Sequence, residues 1–156
     1  MLTHVNKVGK AVMVNVQNKT PTLRTAIAQC IIKVPNNIYT AVLENTVKKG
    51  DVIAVSRLSG IISAKKTSEL IPLCHQINLN SVEISIESEK KNEFLIMSEV
   101  NAYDKTGVEM EALVAVNITA LTFYDMCKAL SKDMVISETR LVEKRGGKSD
   151  YNPTKI

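Results

Sequence analysis

Four charged residues in one helix-compatible stretch carry the strongest chemical signal in the sequence: Glu109, Glu111, Asp125 and Lys128. Asp125 and Lys128 stand three apart and therefore share one face of a helix. A carboxylate held beside an ammonium stays ionised and can serve as a base, while the lysine donates to a developing oxyanion or phosphate. The same spacing also describes an ordinary exposed ion pair, worth only roughly tenths of a kcal/mol. Glu109 and Glu111 open the stretch, where negative charge suits a helix N-terminus. Two positions apart, they point roughly 200° away from each other, so one can be solvated while the other turns inward. Glu111 and Asp125 lie about 21 Å apart along a helix, at about 1.5 Å per residue. One helix cannot bring both to the same reacting atom. Either one of them is structural, or a symmetric oligomer sets the start of one subunit's helix beside the end of another's.

Cys74 and His75 are adjacent, and adjacent side chains usually diverge, which weakens the case for a Cys-His nucleophile. No further ligands stand at metal spacing around them. His75 fits a phosphate or base contact and fits a satisfied loop histidine equally well. Basic residues gather as Lys48 and Lys49, as Lys65 and Lys66, and as Lys144, Arg145 and Lys148 in a glycine-rich tail. Lysines beside glycine, as in Lys49-Gly50 and Gly147-Lys148, let backbone and ammonium approach a phosphate together. Charge clusters on this scale are also commonly just solvated surface. Neither a P-loop nor a G-x-G-x-x-G fingerprint is present.

The elements that position these residues follow from periodicity. Gly107–Met134 is the central helix, helix-compatible from Val108 to Ser131 and apolar on almost every side, which predicts burial and makes its charges costly unless paired. Leu23–Val34 reads as a strand stopped by Pro35, Ile38–Asn45 as a short helix, and Val52 to about Lys66 as a helix capped by Asp51. Thr67–Leu70 either continues that helix or restarts it. Ser81–Ile86 and Phe94–Ala102 alternate as two strands of a hairpin, with ESEKKNE as the connection. Val135–Val142 is the last strand, and Val12–Val16 a short extended piece. The order β-α-α-β-β-α-β predicts an α+β fold, a ferredoxin-like antiparallel sheet with helices packed on one face.

At 156 residues the chain is expected to form a single domain over 1–156, with 1–20 and 149–156 flexible. A hydrophobic content of 45% and a charged content of 23% describe an ordinary globule. No signal peptide is read at the N-terminus, and no uninterrupted apolar run reaches the roughly 20 residues of a membrane helix. Three scattered cysteines predict reduced thiols in the cytoplasm rather than a disulfide framework. A net charge of +4 favours anionic partners without requiring nucleic acid. An RNA-binding sheet usually shows two or three aromatics on adjacent strands, and the predicted hairpin has Phe94 alone. A regulatory ligand-binding domain, with Asp125–Lys128 a plain salt bridge, remains the other alternative.

The segments KKGDV (48–52), SGIISAKKT (59–67), IPLCH (71–75), KTGVEMEAL (105–113), FYDMCKALSKDM (123–134) and EKRGGKS (143–149) occur in an order that resembles the cyclic pyranopterin monophosphate synthase family, the C proteins of molybdenum cofactor biosynthesis. The resemblance spans nearly the whole chain. It implies a lyase that converts 3′,8-cyclo-7,8-dihydroguanosine 5′-triphosphate, supplied by a radical-SAM partner enzyme, to cyclic pyranopterin monophosphate and pyrophosphate. It implies a ferredoxin-like homohexamer, a trimer of dimers with active sites between subunits, acting in the cytoplasm on a small molecule and not on nucleic acid or membrane. No cofactor or protein-bound metal is implied; Mg²⁺ would accompany the triphosphate. By the same resemblance Asp125 and Lys128 are catalytic, while Leu73, Cys74, His75, Met110, Glu111, Lys49, Lys65 and Lys144 bind substrate. The sequence departs from the family pattern at Asn15, where aspartate is usual, at Gln76, where proline is usual, and at Asp150, which follows Ser149 without the usual glycine.

Overall fold

A computed structural model describes residues 8–153; the parts of the expected flexible ends at 1–7 and 154–156 lie outside the described residues. Four strands, β1 (Thr22–Lys33), β2 (Leu79–Lys90), β3 (Glu93–Asp104) and β4 (Val135–Arg145), form one antiparallel sheet in the order β2-β3-β1-β4. Helices α1 (Asn36–Leu43), α2 (Val52–Ala64), α3 (Thr67–Leu70) and α4 (Glu109–Cys127) fill the connections. This is the expected ferredoxin-like α+β arrangement.

Alternation decides which face of the sheet is covered. Ala26, Ala28, Cys30 and Ile32 of β1 and Phe94, Ile96, Ser98, Val100 and Ala102 of β3 are buried, and every second residue between them is part-exposed. The two central strands thus present one apolar face to α2 and α4. Phe94 stacks on Phe123 of α4 at 5.0 Å and on Tyr39 of α1 at 5.6 Å between ring centroids, tying three elements together.

The hairpin is longer than its sequence pattern. Strands β2 and β3 run on through the polar ESEKKNE segment and turn only at Lys91-Asn92, with Asn92 at φ 64°. Polar side chains obscured the strand because only their pairing partners, not a buried face, specify it there; Asn tolerates the left-handed turn residue that a two-residue hairpin requires. Thr67 restarts the chain as a separate helix, its hydroxyl donating to the Ala64 carbonyl at 3.0 Å.

Helix α4 departs from expectation in two ways. It ends at Cys127 rather than Ser131, and its burial is a stripe, not a full circumference. Glu111, Ala112, Ala115, Val116, Thr119, Ala120 and Phe123 are buried, whereas Leu121 is 54% exposed. By length and mean hydropathy alone α4 passes for a membrane span, but Glu109, Glu111 and Asp125 interrupt its apolar run, as expected, and half of it is buried inside the fold. The stripe is made of small residues, and α2 answers with Ser56, Gly60, Ser63 and Ala64. Ser59 Oγ donates to Thr122 Oγ1 at 2.7 Å across the pair. Ser98 Oγ on β3 donates to the Ala112 carbonyl of α4 at 2.8 Å.

Gly60 sits where the two helices and β2 converge: a Cβ there would collide with Thr119 Oγ1 and Ile84 Cδ1. Alanine at this position gains about 1 kcal/mol of helix propensity and loses about 1–3 kcal/mol to overpacking. Gly60→Ala should therefore lower Tm, by a few degrees at roughly 2–4 °C per kcal/mol. A thermal melt of the variant at or above wild type would mean that the helices are not in this contact.

Candidate functional site

The connection between β3 and α4 is where side chains gather. Arg24, on the core-facing register of β1, donates from Nε to the Asp104 carbonyl at 3.1 Å and from Nη2 to the Lys105 carbonyl at 3.2 Å. Those bonds fix the loop Asp104–Val108 that launches α4. Around it lies a cavity of about 720 Å³ lined by Leu73, Cys74, His75 and Ile77 before β2, by Met110 and Glu111 in the first turn of α4, and by Val14, Val16 and Lys19 of the N-terminal segment. Five of the substrate-binding residues implied by the resemblance are thus brought together: Leu73, Cys74, His75, Met110 and Glu111.

The two glutamates divide as their spacing predicts. Glu111 turns inward and is 4% exposed. Its pKa is pushed up to about 7, chiefly by burial, with Glu109 and Asp104 adding repulsion and its own backbone N–H opposing the rise. Glu109 turns to Lys144, its Oε1 lying 3.1 Å from the ammonium. Cys74 is a protonated thiol, its pKa raised by burial and by the charge of Glu111, so it is no activated nucleophile. His75 makes no bond to it; His75 Nε2 lies 2.7 Å from the Val14 carbonyl and so donates to it. Histidine here ties the N-terminal segment across the cavity mouth, and Lys105 does the same through the Gln17 carbonyl at 2.9 Å.

A second cleft, of about 240 Å³, shares Lys19, Thr106, Gly107, Glu109 and Lys148 with the first. Arg24, Thr25, Lys105, Lys144, Arg145 and Gly147 complete its lining. Five cations, Lys19, Arg24, Lys105, Lys144 and Lys148, therefore line this cleft with Glu109, a strong field for a polyanion, while the Arg145 guanidinium pairs with Glu143 on the open face of the sheet. The turn after β4 that sets Lys148 there requires glycine: Gly146 has φ 85°, and a Cβ would meet the Leu23 carbonyl. Asp150, one of the departures from the family pattern, accepts from the Gly146 N–H at 3.0 Å and holds the same turn.

Asp125 and Lys128 lie at the far end of α4. Asp125 Oδ1 is 2.7 Å from Lys128 Nζ, and Oδ2 is 2.9 Å from Lys49 Nζ. Lys49 also donates to the Asp125 carbonyl at 2.8 Å, a cation on the negative end of the helix. The two lysines hold the Asp125 carboxyl down at about 2, Lys128 more than Lys49, and Asp125 in turn raises Lys128. All three side chains are largely exposed, which corrects the expectation that these charges sit on a buried helix. The fold thus unites Lys49 with Asp125 and Lys128, but leaves them about 21 Å from Glu111. Lys65 joins neither group: it caps the C-terminus of α2, is exposed, and makes no ion pair among the described residues. Because α2 runs antiparallel to α4, from Lys49 at Asp125 to Gly60 at Ala115, Lys65 belongs to the Glu111 end.

Arg24, Lys105 and Lys19 are cleft residues that sequence reasoning passed over. Arg24 had a signal, being a charge in phase with Ala26, Ala28 and Cys30 on a strand's apolar face. The other two depend on tertiary approach.

The fold and these paired cavities define an α+β protein with a nucleotide-sized cavity joined to a cleft lined by cations. The chain belongs to the MoaC family, whose sequence profile matches residues 13–147. It is 53% identical over 148 residues to the cyclic pyranopterin monophosphate synthase of Listeria monocytogenes serotype 4a, covering 95% of this chain and 92% of that protein. The proteins of the same name from Bacillus thuringiensis subsp. konkukian and Bacillus cereus B4264 are 49% and 50% identical over 153 residues, covering 96% of this chain and 95% of each.

The buried Glu111 carboxyl has a thermodynamic signature. Its proton is bound more tightly in the folded chain, at about 7 against an ordinary 4.5. The folded state is therefore favoured below pH 4.5 and loses stability as pH rises toward 7, by on the order of 2–3 kcal/mol. Glu111→Gln should raise Tm at pH 8 and leave it near wild type at pH 4.5. A gain that does not change with pH would mean that the carboxylate is not burdened by burial.

Proposed function

We propose that this chain is a cyclic pyranopterin monophosphate synthase of molybdenum cofactor biosynthesis, a lyase acting on 3′,8-cyclo-7,8-dihydroguanosine 5′-triphosphate and releasing pyrophosphate. The observation that carries the reading is family membership at about half identity over almost the entire chain, joined to a nucleotide-sized cavity beside a cationic cleft. In this reading Met110 and Glu111 hold the guanine-derived end, with Leu73, Cys74 and His75 walling the cavity. An ionised Glu111 only accepts hydrogen bonds and suits the guanine N–H edge. Lys49, Lys65 and Lys144 hold the phosphates, with Arg24 and Lys105 stiffening the cleft around them.

Asp125 moves protons as the purine is rebuilt, and Lys128 orients it or acts as the acid. At a pKa of about 2 the carboxylate is a feeble base. A phosphate that draws Lys49 away removes one of the two cations holding it down, so substrate binding itself raises its basicity. In this reading Mg²⁺ accompanies the triphosphate.

The distance along α4 supports an assembly in which Glu111 of one subunit and Asp125 of another serve one site. A homohexamer built as a trimer of dimers satisfies that requirement, and Val55, Leu58, Ile62 and Leu121 leave an apolar surface on the helical layer. The substrate comes from a radical-SAM enzyme, and the setting is the cytoplasm, consistent with free Cys30, Cys74 and Cys127. The RNA alternative is disfavoured by register. Glu83, Glu99 and Glu143 lie in one row across the open sheet face, although Tyr103 adds a second aromatic to β3.

Single turnover of the cyclised nucleotide tests the assignment. Asp125→Asn and Lys128→Ala should each slow pyranopterin formation by about 10²–10⁴-fold without loss of Tm. Wild-type rates in both would remove these residues from the chemistry, and no pyranopterin from the wild-type chain would remove the function.

A further inference from the structure

The anion-binding cleft contains one acid, and its placement is specific. Glu109 lies among Lys19, Arg24, Lys105, Lys144 and Lys148. Its carboxylate reaches Lys144 at 3.1 Å, with both side chains about two-thirds buried. The carboxylate folds back over Gly107, where any Cβ would collide with it, so the glycine is what opens the path to Lys144. Lys144 is anchored from the other side: its backbone N–H and carbonyl pair with Tyr151 at 2.8 and 3.0 Å. The main chain that carries the ammonium is thus pinned on both sides, which keeps Lys144 within reach of Glu109. A helix N-terminus explains an acid in this turn, but not one aimed into a cluster of cations.

We propose that Glu109 is the resident counter-ion of the cleft: it neutralises Lys144 when no phosphate is bound, yields it to the pyrophosphate moiety, and takes it back as pyrophosphate leaves. The inference rests on the reading of the cleft as the phosphate site. Five cations with no internal anion would hold a multiply charged product tightly, and product release then limits turnover. A carboxylate that competes for one of the cations weakens the ground-state grip on phosphate. Glu109 is accordingly a positioning residue, acting through Lys144 and not on the reacting atoms.

Inorganic pyrophosphate, titrated calorimetrically into the full chain at fixed pH and ionic strength, separates the possibilities. Glu109→Gln should bind pyrophosphate about fivefold more tightly than wild type, the scale of one partly screened ion pair. Glu109→Asp, which keeps the charge but shortens its reach, should shift affinity in the same direction and serves if the glutamine variant does not fold. In a Lys144→Ala background the effect of Glu109→Gln should disappear, since the two act as a pair. With the cyclised substrate, Glu109→Gln should show a fast first turnover followed by slow steady state. Tighter binding that persists without Lys144, or affinity that is unchanged or weaker, overturns the counter-ion role. A wild-type chain that binds no pyrophosphate overturns the phosphate-site reading and this inference with it.

Discussion

The close contact between α2 and α4 at Gly60 is the constraint on which the rest of the molecule depends. Two helices can lie this near only if the residues between them are small, and both supply them: Ser56, Gly60, Ser63 and Ala64 against Ala112, Ala115, Val116 and Thr119. The hydroxyls in that seam are mostly spent on their own helices, Ser63 on the Gly60 carbonyl and Thr119 on the Ala115 carbonyl, so they pack nearly as apolar groups. Ser56 Oγ is the exception, buried without a partner. With the helices fixed side by side and antiparallel, each end of the pair becomes a place of defined chemistry. One end sets Lys49 on the last carbonyls of α4; the other directs Glu111 into a cavity walled by the chain that leaves α3.

Those ends differ in how they treat charge. At the C-terminal end of α4 an acid sits against the helix dipole, and two lysines offset it in open solvent. At the N-terminal end the dipole favours an acid, yet burial works against it, and the second effect prevails for Glu111. Glu109, in the same turn, escapes that penalty by pairing with Lys144. Neighbours in sequence thus acquire opposite electrostatic histories because successive helical positions face different surroundings.

Much of this was legible in the residues. Strict alternation in Ser81–Ile86 placed Val82, Ile84 and Ile86 on one face, the face that β2 buries, and the order of elements specified the topology. The polar half of the hairpin was not legible, because Glu87, Glu89 and Lys90 bury nothing and are held in the strand by pairing with β3. Glu138 at φ 52° marks an irregularity in β4 that no residue type announced. The resemblance grouped Leu73, Cys74 and His75 with Met110 and Glu111, and the fold places all five on one cavity. The bond that occupies His75 Nε2, and the convergence of Arg24 and Lys105, are products of tertiary approach between segments 61 to 81 residues apart, beyond any local pattern.

The two acids at the ends of α4 are separated by more than distance. Environment has driven their proton affinities apart, Glu111 to about 7 and Asp125 to about 2, and such divergence commonly accompanies a division of acid and base roles. In the resting chain Glu111 is the group able to gain or lose a proton at neutral pH, while Asp125 is fixed as an anion. On the proposed function, phosphate drawn to Lys49 would reverse part of this difference by releasing Asp125. On the same proposal, hydrogen bonds from the guanine edge would lower Glu111 from the other side. If one site receives both residues from neighbouring subunits, ligand binding brings their affinities toward each other, and proton exchange between acid and substrate becomes nearly balanced only when substrate is in place.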